Sequence, residues 1–250
     1  MFLKKEGECT MSEIAKEIQE YKEVPVSDEV KAPEITPKSE MNLEQANSIY
    51  EKITDDVFSV NNEAEQMSES IENEDVYNEI YDCDIDDFSF DNLDLEDERL
   101  EGIIKYFETD TWQKLDIDDK RAIIQAFETY LVKVLDLKQP PRVIFYYGPQ
   151  GECGAYNRAN NTIKINMNMI DNPQMAISTI AHETWHAYQH QCAENPQTRK
   201  DALYTINFIN YIRPDMVDGN WVMFEEYESQ LVEAEANAFG RLFEEKVGGK

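Results

Sequence analysis

The chain's three histidines, His182, His186 and His190, all fall within T-I-A-H-E-T-W-H-A-Y-Q-H, residues 179–190, and Glu183 stands beside the first. On an α-helix, positions four apart lie one turn of about 5.4 Å apart and only about 40° around the axis, so His182 and His186 project from one face and can converge on one ion. Neutral imidazole suits zinc, with bonds of about 2.0–2.1 Å. Glu183 sits at the rim of that face, within reach of a water held there. Two ligands, one general base and one coordination position left open for water make the H-E-x-x-H arrangement of a hydrolytic zinc site. The rival reading is two unrelated surface histidines; the motif's place inside a predicted helix, after a strand, speaks against it. His190 is a poor third ligand, because eight positions past His182 it lies about 12 Å further along a rigid helix. It is assigned a surface role or a hydrogen bond at the helix end.

With the histidines used up, a further protein ligand must be a carboxylate from another helix. Glu233-Ala234-Glu235-Ala236-Asn237-Ala238-Phe239-Gly240 supplies it. Glu233 and Asn237 are four apart on one face, so one can bind metal while the other hydrogen-bonds a ligating histidine. Glu235 is the rival. It lies in the arc of Leu231, Ala238, Phe239 and Leu242, where an unpaired carboxylate is costly and a metal could be its partner. The residues alone do not separate the two.

The elements that must position these groups begin near Leu100. Ile123, Ile124, Phe127, Leu131, Val134 and Leu135 form a stripe that predicts a helix over Ile117–Leu137, ended by Pro140-Pro141. Three extended runs follow, Val143–Tyr147, Gly154–Tyr156 and Thr162–Met169, with a hairpin near Asn160-Asn161. The last run alternates strictly, placing Ile163, Ile165, Met167 and Met169 on one side of a half-buried strand. Asn172-Pro173 opens the histidine-bearing helix, which runs to about Cys192. Two further helices are expected, over roughly Thr198–Ile212 and Met223–Lys246. The fold class read from this order is α+β: a small, mostly antiparallel sheet packed with an active-site helix and further helices, over residues 98–250.

Residues 1–97 have a different texture. Residues 1–100 carry 30 Asp and Glu against 8 Lys and Arg, and the whole chain has a net charge of −29. So acidic a segment, with no sustained apolar period, cannot offset its ordering entropy and is expected to be largely disordered. Short helices at Met11–Tyr21 and Leu43–Ile53 would be marginal on their own. Asp82-Cys83-Asp84-Ile85-Asp86-Asp87 opens like a calcium loop, but Asp87 stands where glycine is needed and Leu93 where the closing Glu belongs. The charge disfavours nucleic acid and anionic membrane as partners and favours a basic protein surface. No apolar run approaches the roughly 18 residues of a spanning helix, and Met1–Lys5 is too short for a signal peptide, so a cytoplasmic protein is expected. Cys9, Cys83, Cys153 and Cys192 include no C-x-x-C pair, which argues for reduced thiols.

H-E-T-W-H at 182–186 followed by E-A-E-A-N-A-F-G at 233–240 resembles the gluzincin metallopeptidases, and especially the ImmA/IrrE-like peptidases. Position by position, the resemblance implies that His182, His186 and Glu233 bind Zn2+, that Glu183 is the catalytic base, and that Asn237 orients a ligand. It implies a zincin-like domain acting as an endopeptidase on a peptide or protein substrate, with the peptide extended along Thr162–Met169 as an added edge strand. Tyr156, Tyr204 and Tyr227 are the candidates for a second donor to the oxyanion. Two other functions compete: a catalytically silent binding module of the same fold, which the intact Glu183 argues against, and a structural-metal protein, which would want four closed ligands. The acidic segment is either a solvated tail that contacts a basic partner or a cover over the cleft, placing a carboxylate or Cys83 at the open metal position. A cover predicts that a chain starting near Glu98 is more active than the full chain.

Overall fold

The Asp97 carboxylate accepts a hydrogen bond from the Leu100 N–H at 2.7 Å and so starts α1, Glu98–Phe107, in the way an N-cap satisfies the free amides of a first turn. The computed structural model describes Lys16, residues 78–217 and residues 220–248. Apart from Lys16, the helices expected at Met11–Tyr21 and Leu43–Ile53 lie outside the described residues. The described chain divides into two units, residues 89–187 with 239–248, and residues 78–88 with 188–238.

In the first unit a short helix, α2 (Thr109–Trp112), leads to α3 (Ile117–Val134), which Asp116 caps through the Asp119 N–H. Their apolar faces meet in an aromatic group: Phe107 stacks on Trp112 with centroids 4.8 Å apart and meets Phe127 edge-on, and Phe127 meets Phe243. Three strands follow: β1 (Arg142–Tyr146), β2 (Gly154–Asn157) and β3 (Thr162–Asn166). The expected hairpin is present, turning through Asn161 in the left-handed region (φ 48°), where asparagine is tolerated. The sheet order is β1-β3-β2, with β1 and β3 parallel and β2 and β3 antiparallel.

Three expectations are corrected here. The sheet is mixed rather than mostly antiparallel, because the chain crosses to the far edge before the hairpin returns β3 to the centre. And β3 is not an edge: its backbone groups pair on both sides, so no peptide can add along Thr162–Asn166. Nor is it half-buried, since Thr162 and Asn166 are buried along with Ile163 and Ile165. The strand stops at Asn166, whose side chain makes four hydrogen bonds, donating to the Pro149 and Glu152 carbonyls and accepting from the Gly148 and Asn168 N–H groups. That set pins the loop between β1 and β2.

α4 (Pro173–Glu194) begins at Asn172, which accepts from the Gln174 N–H, and buries Ile177, Ile180 and Ala181. In the second unit α5 (Arg199–Ile209) starts with a capping box of Thr198 and Asp201. A two-stranded antiparallel pair that sequence periodicity did not suggest, β4 (Asp215–Val217) and β5 (Asn220–Val222), precedes α6 (Phe224–Ser229) and α7 (Leu231–Gly248). The single helix expected over Met223–Lys246 is thus two helices. Gln230 breaks it, with an extended backbone (ψ 143°) and a buried side chain that accepts from Asn207 Nδ2 and the Ile212 N–H and donates to the Ile212 and Tyr227 carbonyls.

The described fold starts upstream of residue 98. Residues 78–81 are helical, and Ile80 enters an apolar cluster with Leu203, Tyr204, Ile206, Leu231 and Val232. The Cys83 N–H donates to the Ser229 carbonyl, Tyr81 Oη donates to the Asn210 carbonyl, and Arg199 makes two hydrogen bonds to Glu79. Here local pairing compensates the acid that the composition counts as repulsion. Among the described residues no helix is long and apolar enough to cross a membrane.

Two stability predictions follow from this packing. Ile80→Ala should cost about 2–5 kcal/mol in denaturant unfolding, as for other buried aliphatic truncations, and a chain beginning at Glu98 should be less stable than the full chain. In α3, burial holds the Glu128 carboxyl up at about 8 against an ordinary value of 4.5, only partly offset by hydrogen bonds from Thr129 and Gln125. Its folded form therefore keeps a proton that the unfolded chain releases, so stability should fall as pH rises from about 4.5 to about 8 and then level off. Glu128→Gln should flatten that slope in unfolding curves measured across this range.

Candidate metal centre

α4 runs on from buried Ile180 and Ala181 to His182 and His186, both partly buried on one face. Their Nε2 atoms are 2.9 Å apart and the rings stand edge-on at 88°, with centroids 4.6 Å apart. One ring nitrogen donates and the other accepts, so at least one imidazole presents a bare lone pair toward its neighbour. The Glu233 carboxylate on α7 is 1 % exposed. One ligand atom from each of His182, His186 and Glu233 lies within 4.8 Å of the others.

This donor set fits a zinc-type ion. Bonds of about 2.0–2.1 Å in a tetrahedron place two donors roughly 3.3 Å apart, so the histidine nitrogens need to part only slightly, and Glu233 to close in, through side-chain adjustment. Two imidazoles and one carboxylate leave one position open, as in hydrolytic rather than structural zinc sites.

The structure separates the two carboxylates of α7. Glu235, fully buried, is ion-paired with Lys200 and accepts hydrogen bonds from Tyr204 Oη and from Gln189 Nε2, the latter at 3.0 Å. Those partners account for its burial without a metal. On Glu233, Tyr211 Oη donates to one carboxylate oxygen at 2.5 Å and Tyr227 Oη to the other at 2.8 Å. Burial, and then the negative charge of Glu233, raise the Tyr211 phenol far above its ordinary value, so it stays a donor. Asn237 is partly buried on the next turn, and no side-chain hydrogen bond from it to a histidine forms among the described residues.

Glu183 is 7 % exposed and lies under β2. A Cβ placed on Gly154 would meet Thr179 Cγ2 at 2.7 Å, the Lys164 carbonyl at 2.9 Å and Glu183 Cγ at 3.3 Å, so the glycine lets the edge strand pass directly over the carboxylate's stem. Burial raises both the Cys153 thiol and the Tyr146 phenol, and the charge of Glu183 adds to each. The neighbouring Thr184 and Trp185 serve packing: the Thr184 hydroxyl donates back to the Ile180 carbonyl, and Trp185 lies against Phe90 and Phe239. His190 stacks on Phe208 with ring centroids 3.7 Å apart and is not in the metal-ligand group.

The remaining candidates fall in several places. Cys83 packs against the Ile80 cluster, with burial and then Asp87 and Asp82 pushing its thiol up to about 11, which keeps it protonated and a poor metal donor. Asp84 caps a short 3-10 turn over Ile85–Asp87 by accepting from the Asp86 N–H, so the acidic run is turn chemistry here. Tyr156 donates to Asn161, Tyr204 to Glu235 and Tyr227 to Glu233. Tyr211 was not legible as a site residue, since it stands 22 positions before Glu233 with no periodic relation to it.

Compared with protein-family models, with curated proteins and with solved structures, the chain finds no match in any of the three. The packing over Glu183 can be tested by itself. Gly154→Ala should destabilise the fold by about 1–3 kcal/mol in denaturant unfolding, the range for inserting a methyl where neighbours cannot retreat, because one of the atoms in its way is backbone.

Proposed function

We propose that this chain is a zinc-dependent metallopeptidase of the gluzincin type with a zincin-like domain, similar to the ImmA/IrrE-like peptidases. The observation that carries the reading is the convergence of ligand atoms from His182, His186 and Glu233, with Glu183 beside them on α4. What the ion supplies when bound is Lewis acidity toward a water and a carbonyl oxygen. His182 and His186 would hold it through Nε2 and Glu233 through a carboxylate oxygen. Glu183 takes the proton of the attacking water on its carboxylate and delivers it to the leaving amine nitrogen, as a general base that becomes a general acid. Its burial beneath Gly154 keeps bulk water from its stem and fixes where the carboxylate can point.

The substrate would be an extended peptide. Of the two edges of the sheet, that of β2 is the one that passes over Glu183, so the peptide adds along Gly154–Asn157, its main chain pairing with the outward N–H and C=O groups of that strand. This replaces the expected position along Thr162–Met169.

Glu183→Gln separates the base from the site. In zinc-loaded full chain incubated with fluorescently labelled casein, the variant should keep its metal and lose about 100-fold or more in cleavage rate, the scale of a lost general base. Loaded wild-type chain that cleaves no better than Glu183→Gln would sink the peptidase reading and leave a silent binding module or a structural metal.

A further inference from the structure

Gln189 stands three positions past His186 on α4, about 4.5 Å further along the helix. Its side chain is fully buried, and its Nε2 donates to two acceptors on α7, the Val232 carbonyl and Glu235 Oε2, each at 3.0 Å. A carbonyl and an ionised carboxylate can only accept, so the amide must face them with its NH2 group, whose two hydrogens match the two acceptors. Those acceptors bracket the metal-group residue Glu233 in the sequence, one position before it and two after. Val232 is itself fully buried, and Glu235 is also held by Lys200 and Tyr204 of α5. What the amide grips is therefore anchored independently of α4.

Apolar contact is non-directional, so on its own it tolerates a small slide of one helix along another. A zinc site does not, because its bond lengths hold to within about 0.2 Å. A paired hydrogen bond supplies the missing direction: a slide of α4 by a fraction of a turn would spoil both N–H···O contacts together. We propose that Gln189 is a positioning residue for the metal site, one that ties the last turns of α4 to the first turn of α7 and so sets the register in which His186 and Glu233 meet. It acts through the helices that carry the ligands. The assignment rests on the metallopeptidase reading only as far as the metal ion and makes no use of the reaction.

The test uses the full chain. Zinc affinity is measured by competition with a chromophoric chelator, and the visible spectrum of the Co2+-loaded protein is recorded, for wild type, Gln189→Met, Gln189→Asn and Tyr204→Phe. Methionine keeps the length of the side chain and removes the amide; asparagine keeps the amide and ends one methylene short of its acceptors. Both should weaken zinc by about tenfold or more, the lower end of the range for partners that orient ligands. Both should also shift the Co2+ bands while the metal-free circular dichroism stays that of wild type. Tyr204→Phe takes a donor from the same Glu235 carboxylate but leaves the Gln189 amide in place, so it should lower thermal stability and leave zinc affinity and spectrum unchanged. Wild-type affinity and spectrum in a folded Gln189 variant would overturn the proposal. An equal loss of affinity in Tyr204→Phe would overturn it too, since the effect would then be one of general stability. Should Gln189→Met fail to fold, Gln189→Asn decides. Wild-type chain that binds neither ion would overturn the metal site itself, a result distinct from wild type that binds while its Gln189 variants bind equally well.

Discussion

One helix, α7, carries two carboxylates that are 1 % and 0 % exposed, and the rest of the second unit is arranged around satisfying them. An ionised carboxylate out of water needs either charge or several hydrogen bonds. Glu235 draws on α5, through Lys200 and Tyr204, and on α4, through Gln189. Glu233 draws on the loop after α5 and on α6, through Tyr211 and Tyr227. The two solutions differ in kind. The first closes an ion pair between α5 and α7; the second places one tyrosine hydroxyl on each carboxylate oxygen. A carboxylate whose ligand atom lies within 4.8 Å of two imidazole nitrogens is part of a donor set that could hold a divalent cation.

Small residues and side-chain amides provide the rest of the precision. Gly240 lies against the Ser178 carbonyl, closer than a Cβ would allow, and Gly154 gives the same close approach of β2 to α4. Asn166 and Gln230 each spend a fully buried amide on pinning irregular backbone, one at the loop between β1 and β2 and the other at the break before α7. Such amides are satisfied in full, which is what allows polar groups to sit in a core and specify one backbone path.

Much of this was legible in the sequence, for reasons that vary with the element. α3, α4 and the β2–β3 hairpin came through because their apolar period and their start and turn residues agree locally, as at Asn172 and Asn161. The convergence of His182 and His186 follows from helix geometry, and Glu233 was one of two carboxylates that spacing left open. What decided between them, the pairing of Glu235 with Lys200, joins residues 35 positions apart and leaves no periodic trace. The same holds for the central place of β3, which depends on strand order rather than on alternation, and for the break at Gln230, an ordinary helix former whose side chain finds better partners outside the helix. Residues 78–88 read as part of an acidic tail because composition averages charge; Ile80, Tyr81 and the pairing of Glu79 with Arg199 act singly and vanish in the average.

The proposed chemistry requires that a metal ion bind at His182, His186 and Glu233. Elemental analysis of the purified full chain, beside His186→Ala and Glu233→Ala, addresses that directly. About one equivalent of zinc in the wild type, greatly reduced in both variants, is the predicted result for a site with three protein ligands. A folded wild-type chain without metal after zinc loading and removal of excess, or one whose metal content ignores both substitutions, would contradict it.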